Sequence, residues 1–419
     1  MTGTEEALPL PPAAVRAPPI IRRAAPLPLP PPAPPLPAPA TQRGALEMLE
    51  LRVGGEIHTE WTGATVTRGI DRLASAFVLH AGLLPGATPF ERFPPFAPVE
   101  VRLGGELVMT GWIEAPGAEI SGASEETSIS GRSKTCDLVD CTPELRGTEF
   151  RGSTLDAIAR AVCEPFGIEV VVAADMGPVI DLTAMDKTKT GFAFLNDLAR
   201  MRGVLLTDDE QGRLVLSRTG SEAQAGVLEM PGTLSRLGVR QDVSKRFSRY
   251  VVLSQVGSAS SAMPSPDPEA MAAEPPGGGV QPAVNAVALD ARVPRYRPHI
   301  LQAEEAATAA EAQTRADWQR SHAVGRSLTV TLTVPGTWRD EAGALFRTNR
   351  RQQVRAERYG LDDELLIVSV AYGLDRNGRH TTLTLGPPEG YTPEPVRRTG
   401  GKGGAARLDS PDPAAVRAG

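Results

Sequence analysis

The sequence has few of the residues from which catalytic and metal sites are usually built. Its 419 residues include three cysteines and five histidines, and aromatic residues make up 5% of the chain. An odd number of cysteines in a long chain does not form a disulfide framework. The sequence also lacks the G-x-x-x-x-G-K-[ST], H-E-x-x-H, C-x-x-C and G-x-S-x-G motifs. These absences argue against the common nucleotide-dependent, zinc-dependent and serine-hydrolase classes of enzyme.

An excess of positive charge is also missing. The formal net charge is -6, and the 44 basic residues include only five lysines. A protein that holds nucleic acid through its phosphates needs a basic surface, so this balance argues against that function and permits a surface past which DNA slides. No apolar run reaches transmembrane length and no signal peptide is visible, so we expect no membrane insertion and a location in the cytoplasm or in a particle assembled there.

Three stretches lack the periodicity of packed structure. Residues 1–47 hold 14 of the 39 prolines, which favours a disordered polyproline II arm. Alternatively, the arm precedes a true start at Met48, or it is a ligand for the aromatic groove of a partner. Residues 257–286 are rich in Ser, Pro, Ala and Gly and predict a mobile loop, and residues 390–419 predict a disordered tail.

Alternating apolar residues predict strands in much of the remaining chain. Gly54-Gly55 and Gly104-Gly105 each separate two alternating runs, which is a good hairpin signal. Residues 48 to about 130 are therefore predicted to be mostly β. Asn377-Gly378 marks another hairpin near the end of the chain.

Residues 149–220 change to a mixed pattern. Ser153 with Asp156 resembles a helix start, and apolar residues then recur at helical spacing as far as Gly167. Thr190 is expected to cap a second helix, which Gly203 ends. A hairpin turning at Gln211-Gly212 completes a compact α+β unit inserted between β segments.

A helix is predicted over residues 300–324, before the strand that begins at Leu328. Ala303, Ala306, Ala307 and Ala310 recur at helical spacing, so we expect an alanine-lined face that packs closely on a β-sheet. Trp318 is expected at or near that contact.

Asp137 and Asp140, three residues apart, are the best candidates for chemistry. A carboxylate pair can act as general acid and base, but this needs a cleft that sequence alone does not reveal. The alternative is a short helical turn whose carboxylates cap backbone N–H groups or pair with Arg132 or Arg146. We favour the second interpretation and assign no catalytic, cofactor-binding or metal-binding residue.

The other uncommon residues are expected to be structural. Cys136 and Cys141 are predicted to be small buried residues. The histidines are expected at surface or capping positions (58, 80, 299, 322 and 380). The tryptophans are expected in the core (Trp61, Trp112, Trp318 and Trp338), with an interface anchor as the alternative for Trp338.

Several separated blocks resemble one known family. They are Gly131-Arg132-Ser133 followed by Asp137-Leu138-Val139-Asp140, then Arg246–Tyr250, Arg295–Pro298, Arg315–Trp318, and the segment with Gly336, Trp338, Gly343 and Leu345-Phe346. In these blocks the chain resembles the baseplate hub proteins of Mu-like contractile-tailed phages. That family is related to the hubs of T-even phages and to the hub domains of type VI secretion spikes.

The resemblance implies a mainly β fold with an α+β insertion. Two similar β-barrel domains are expected at residues 48–148 and 221–389, with the α+β domain at residues 149–220 between them. A weak internal echo between residues 99–131 and 354–386, each running strand, turn, strand, turn, strand, agrees with this expectation.

The resemblance also implies a function without catalysis or cofactor. The protein is expected to be a structural protein of the virion tail baseplate, assembled in the host cytoplasm. It would form a homotrimer that joins the sixfold tail tube protein to the threefold central spike protein, contacts baseplate wedge proteins, and leaves a channel through which DNA passes without specific binding. One alternative is a tail-associated peptidoglycan hydrolase using Asp137 and Asp140. A carbohydrate-binding tail module is a third possibility, although 5% aromatic residues are few for it.

Overall fold

A computed structural model describes most of the chain beyond the proline-rich segment. The predicted arm, most of the predicted loop and most of the predicted tail lie outside the described residues. The described ranges are residues 48–82, 88–121, 124–220, 222–254, 284–302 and 309–393.

The first β region follows the alternating pattern of its sequence. Its glycine-pair turns form as predicted, because Gly54 (φ 58°) and Gly55 (φ 90°) have the positive φ angles that such turns require. The elements are β1 (Leu49–Val53), β2 (Glu56–His58), β3 (Gly63–Gly69), β4 (Ala76–Ala81), α1 (Pro89–Arg92), β5 (Pro98–Leu103), β6 (Glu106–Ser121), β7 (Ser124–Ser133) and α2 (Cys136–Asp140).

The α+β region has a core of its own, to which Leu73 and Leu138 of the preceding region also contribute. Thr190 caps its second helix by accepting a hydrogen bond from the Ala193 N–H, as predicted. The first helix begins one residue later than predicted, with Thr154 rather than Ser153 at the cap position. The elements are β8 (Glu149–Ser153), α3 (Leu155–Cys163), β9 (Val170–Val172), β10 (Ile180–Ala184), α4 (Gly191–Arg200), β11 (Leu205–Asp208) and β12 (Leu214–Ser217).

The second β region contains a small sheet and a helix within a larger β structure. Its Asn377-Gly378 hairpin forms as predicted. The elements are β13 (Glu222–Glu229), β14 (Arg236–Gln241), β15 (Arg249–Ser254), β16 (Val284–Leu289), β17 (Pro298–Gln302), α5 (Ala309–Arg326), β18 (Leu328–Pro335), β19 (Arg350–Ala356), β20 (Leu361–Asp375) and β21 (Gly378–Gly386).

One 13-stranded sheet runs through both β regions. Its main path is β14-β18-β21-β20-β3-β4-β7-β6-β5-β1-β2, and β19 with β13 branches from β20. The two regions meet where β20 pairs antiparallel with β3, with Tyr372 opposite Val66. Among the described residues the strand pairing does not close on itself. The two regions also share one hydrophobic core, which includes Leu51, Phe77 and Val370.

The two β regions repeat the same strand order. The first has β3-β4-β7-β6-β5-β1, and the second has β14-β18-β21-β20-β19-β13. The first five strands of each path are antiparallel to their neighbours, whereas the sixth differs, because β1 is antiparallel to β5 and β13 is parallel to β19. Both long central strands carry a register shift at equivalent places, between Ile113 and Ala115 in β6 and between Ile367 and Ser369 in β20.

The predicted helix over residues 300–324 is wrong at its start. Pro298–Gln302 form a strand parallel to β15, and the described helix runs over Ala309–Arg326. Its buried face carries Ala312 and Ala316, whereas Ala310 of the predicted face is exposed. Ala303, Ala306 and Ala307 lie outside the described residues.

Helix α5 packs on the small three-stranded sheet of the second β region. Its buried alanines pack with Tyr250, Val252 and Ala288 of the three-stranded sheet β16-β15-β17. The predicted packing of alanines on a β-sheet is therefore confirmed, although Ala312 and Ala316 make the contact.

Two predicted boundaries of irregular structure also need correction. Residues 284–286, assigned to the mobile loop, belong to β16. Residues 390 and 391, assigned to the tail, belong to a 3-10 turn, Pro388–Tyr391, in which Tyr391 is buried. A single aromatic residue such as Tyr391 forms no periodic pattern, so the sequence did not predict that the folded structure extends to this residue.

Candidate functional site

The two candidate aspartates lie on a short helix but do not form a paired acid and base. Asp140 is held by Arg132, whose other side-chain partner is Glu114, 2.6 Å away. These hydrogen bonds raise the pKa of Arg132. Asp137 lies in the first turn of α2, where a carboxylate is favoured by the helix dipole, and its Oδ1 is 3.8 Å from the Cys136 Sγ. The predicted arginine pairing is confirmed for Asp140.

The remaining candidates follow the predictions only in part. Cys136 is buried, as expected, and burial raises the pKa of its thiol to about 12. Cys141 is exposed, so its predicted burial was wrong. His58 was expected at a surface or capping position, but it is buried with its ring edge-on to Phe93 at 4.8 Å between centroids. Trp338 is a core residue, and its indole N–H donates to the Gly373 carbonyl over 3.0 Å.

The most concentrated polar arrangement lies where the three regions of the chain meet. Arg68 of β3 donates to Glu210 Oε1 over 2.9 Å and to the Asp208 carbonyl over 2.8 Å. Glu210, in the turn after β11, also accepts from Arg347 over 2.5 Å. Arg347 in turn reaches Glu106 of β6 over 2.9 Å. We call Arg68, Asp208, Glu210, Arg347 and Glu106 the junction network.

Burial makes the junction network sensitive to the loss of Arg68, Asp208 or Glu210. Desolvation alone would raise the pKa of Glu210, but Arg68 and Arg347 outweigh it and hold that pKa below its usual range. Desolvation would likewise lower the pKa of Arg68, but Asp208 and Glu210 reverse the shift and raise it. The Asp208 carboxylate also accepts from the Ser75 hydroxyl over 2.8 Å. Arg339 also pairs with Glu106, over 3.0 Å, so each carboxylate of the network has an arginine partner and the network ties the three regions together.

Within the described ranges, no three His, Cys, Asp or Glu side chains come together in a way that could hold a metal ion. Of the helices in the described part of the chain, none is both long enough and apolar enough to cross a membrane.

The chain is similar in sequence to known phage baseplate proteins. The chain is 30% identical over 360 residues to the baseplate hub protein gp44 of Escherichia phage Mu, covering 84% of this chain and 92% of that protein. The chain belongs to the baseplate hub family of Mu-like phages. Three family models match successive parts of it: the N-terminal domain of Mu phage GpP-like proteins (residues 48–133), the second domain of gp44-like hub proteins (residues 135–218) and the fourth domain of GpP (residues 308–394).

Two solved tail proteins have similar folds. The 43 kDa tail protein of prophage MuSo2 from Shewanella oneidensis is 30% identical with a TM-score of 0.71, over 83% of this chain and all of that one. A tail protein from Neisseria meningitidis MC58 is 24% identical with a TM-score of 0.66, over 83% of this chain and 98% of that one. The second likeness concerns the fold alone. The hub family is therefore shown by sequence, and the phage tail fold by structure.

Sequence reasoning did not identify the residues of the junction network. Arg68, Glu210 and Arg347 are separated by more than a hundred residues along the chain, and no local pattern distinguishes them from solvated surface charges. Trp318 was noticed, and its indole N–H donates to the Thr392 carbonyl over 3.1 Å while its ring stacks on His322. Trp318 thus joins α5 to the C-terminal segment rather than to the large sheet.

Proposed function

We propose that three copies of this chain form a closed ring at the centre of a contractile tail baseplate, in a phage or a prophage-derived tail-like particle. The ring joins the sixfold tail tube protein to the threefold central spike protein and contacts the baseplate wedge proteins. Its role is mechanical, so no residue needs to be catalytic. Membership of the baseplate hub family supports the location in the virion tail.

The repeated strand order is the observation that carries the symmetry argument. The paths β3-β4-β7-β6-β5 and β14-β18-β21-β20-β19 have the same order and the same antiparallel sense. Two similar β units in each of three copies offer six similar faces around one axis. Such a ring matches a sixfold partner on one side and a threefold partner on the other, because a cyclic assembly closes through repeated heterologous contacts.

The proposed domains follow from the same repeat. Residues 48–148 and 221–389 are the two hub domains, each expected to form a barrel, and residues 149–220 are the α+β domain between them. A central channel lets DNA pass. The net charge of -6 suits a channel that does not retain phosphates.

Mass measurement of the full chain in solution tests this proposal. We expect native mass spectrometry to give three times the chain mass of 44.3 kDa, if necessary only after the central spike protein is added. A monomer or an open-ended series of oligomers in the presence of the spike would contradict the ring.

The hydrolase alternative makes a different prediction. Because Asp140 is engaged with Arg132, we expect the purified protein to leave the turbidity of a cell-wall suspension unchanged. Asp137→Asn and Asp140→Asn should each lower the free energy of unfolding by about 1 kcal/mol or less, as is usual for exposed carboxylates that pair or cap. Clearing of cell walls by the unmodified protein, lost in Asp137→Asn, would support the hydrolase instead.

A further inference from the structure

The open strand edges in the described part of the chain include the outer edge of β14 and the far end of β6. The edge of β14 opposite β18 has no strand partner there, nor has the end of β6 over residues 115–120 opposite β7. We infer that these two edges pair with each other between neighbouring copies, so that the large sheet continues from one copy into the next. This inference rests on the ring proposed above and specifies how that ring closes.

The pairing of β3 with β20 inside the chain provides the template. Val66 lies opposite Tyr372, and Ala64 lies opposite Leu374, in an antiparallel register. This contact joins the first β region to the second. In a ring of six similar units, an equivalent contact must join the second region of one copy to the first region of the next.

The repeat identifies the strands that would make this contact. The shared register shifts align Ile113 of β6 with Ile367 of β20, which places Ala118 at the position of Tyr372. In the first region, the strand pairing leads from β6 through β7 and β4 to Val66 of β3. In the second region, the equivalent pairing leads from β20 through β21 and β18 to Val239 of β14. Val239 therefore holds the position of Val66. The equivalent of β3–β20 is therefore β14 of one copy with β6 of the next.

This alignment gives a register for the pairing. Val239 should lie opposite Ala118 of the neighbouring copy, and Leu237 opposite its Ile120. Antiparallel pairs of this kind place directly opposed Cβ atoms about 4.5–5.5 Å apart. Pro116 offers only its carbonyl, but it lies opposite Gln241, the last residue of β14, so the pairing over Gly117–Ile120 keeps its donors.

Apolar exposure on both edges fits the pairing. Ile120 is 75% exposed and Val239 is 40% exposed, whereas Val66, which holds the equivalent position of Val239 within the chain, is fully buried. The side chains of one strand alternate between faces, so Ile120, Ala118 and Val239 would all face the side on which Val66 and Tyr372 lie. Covering these edges removes a hazard, since open edge strands recruit unwanted partners.

Charge is complementary on the opposite face. Glu119 would lie opposite Gly238 and between Arg236 and Arg240 of the neighbouring strand. Within the described ranges, Arg240 forms an ion pair with Asp242, an exposed carboxylate 3.6 Å away. Opposite charges at diagonal positions across two strands stabilise their pairing. The partner that fits the edge of β14 is therefore a second copy of this chain.

Disulfide cross-linking of the full chain tests the register. The background is Cys141→Ser, because Cys141 is exposed whereas Cys136 and Cys163 are buried. In that background, Ala118→Cys with Val239→Cys should give covalent dimers and trimers on mild oxidation with the spike protein present, since directly opposed residues of antiparallel strands have Cα atoms about 4.5–5.5 Å apart, within the range that a disulfide spans. The matched control is Ala118→Cys with Val172→Cys, which uses a valine of the α+β region with the same 40% exposure and should remain monomeric on a non-reducing gel.

A charge exchange tests the same contact without new cysteines. Glu119→Arg should raise the concentration needed for half-assembly by about tenfold, a typical effect of replacing attraction by repulsion at an interface. Adding Arg236→Glu and Arg240→Glu to that variant should restore assembly. Asp181→Arg, an exposed change on β10, is the control and should leave assembly unchanged.

The outcomes separate this inference from the ring itself. A trimeric wild type with no cross-link between positions 118 and 239, and no response to Glu119→Arg, would overturn the strand pairing and leave the ring standing. A wild type that stays monomeric with the spike protein would overturn both.

Discussion

The guanidinium of Arg68 lies where the first β region, the α+β region and the second β region meet. It is 8% exposed, and its partners Asp208 and Glu210 come from a different region of the chain. A buried charge without its counter-charge is strongly destabilising, because desolvation is no longer offset by attraction. The junction network therefore ties the three regions to one another, as the proposed ring would require if its contacts are to repeat.

Replacing Arg68 by methionine should expose this dependence. Arg68→Met keeps the length of the side chain but leaves Asp208 and Glu210 with less positive charge, so the free energy of unfolding should fall by about 3–5 kcal/mol. Urea denaturation measures the change. Arg151→Met removes an exposed arginine that pairs with Glu149 and should cost less than about 1 kcal/mol. Equal losses in the two variants would mean that burial of Arg68 contributes nothing.

Local residue roles were predictable where the partner is near in sequence. Thr190 caps α4 and Asp140 pairs with Arg132, each within eight residues of its partner. Such contacts are predictable because helix caps and turns depend on residues that are near one another in the sequence. Arg68 and Glu210 were not recognised, since the strands that bring them together pair over more than a hundred residues. The same limit hid the burial of His58 against Phe93.

At the scale of elements, α5 and the segment after β21 hold each other in place. The Arg326 guanidinium lies over the Tyr391 ring, 4.2 Å from its centroid. The backbones of Gly325 and Gly390 approach so closely that a Cβ on Gly325 would lie 2.3 Å from the Gly390 nitrogen. This close approach explains a glycine inside a helix, where it otherwise weakens the element.

Gly325→Ala separates helix propensity from packing. Propensity alone predicts that alanine stabilises an exposed helix position by about 1 kcal/mol. Here the added methyl meets backbone that cannot move aside, so we expect a loss of about 1–3 kcal/mol in the free energy of unfolding and faster proteolysis after residue 386. Gly147→Ala, where a Cβ meets nothing within 4 Å, is the control. A more stable Gly325→Ala protein would show that the C-terminal segment does not dock there.

Elements with strong local signals were predicted well, and their partners were not. Glycine-pair turns gave the hairpins, and helical spacing gave α3 with its buried Leu155, Ile158 and Val162. The start of α5 was misplaced because residues 300–302 join a parallel strand, whose partner lies about fifty residues earlier. The pairing of distant strands, such as β3 with β20, depends on closing a long loop and on burying apolar residues from both strands together. A short stretch of sequence contains neither kind of information.

At the scale of the whole molecule, the proposed ring would have to let DNA pass without holding it. The net charge is -6, and arginines such as Arg68, Arg339 and Arg347 are engaged with carboxylates. Each phosphate neutralised by a protein contributes about -0.9 to the slope of log affinity against log salt concentration. We therefore expect no change in the fluorescence anisotropy of a short labelled duplex at physiological salt, with the trimer present at micromolar concentration and a basic DNA-binding protein as positive control. Tight binding with a slope that indicates several phosphate contacts would contradict a neutral passage, because a genome held along such a ring would be retarded during ejection.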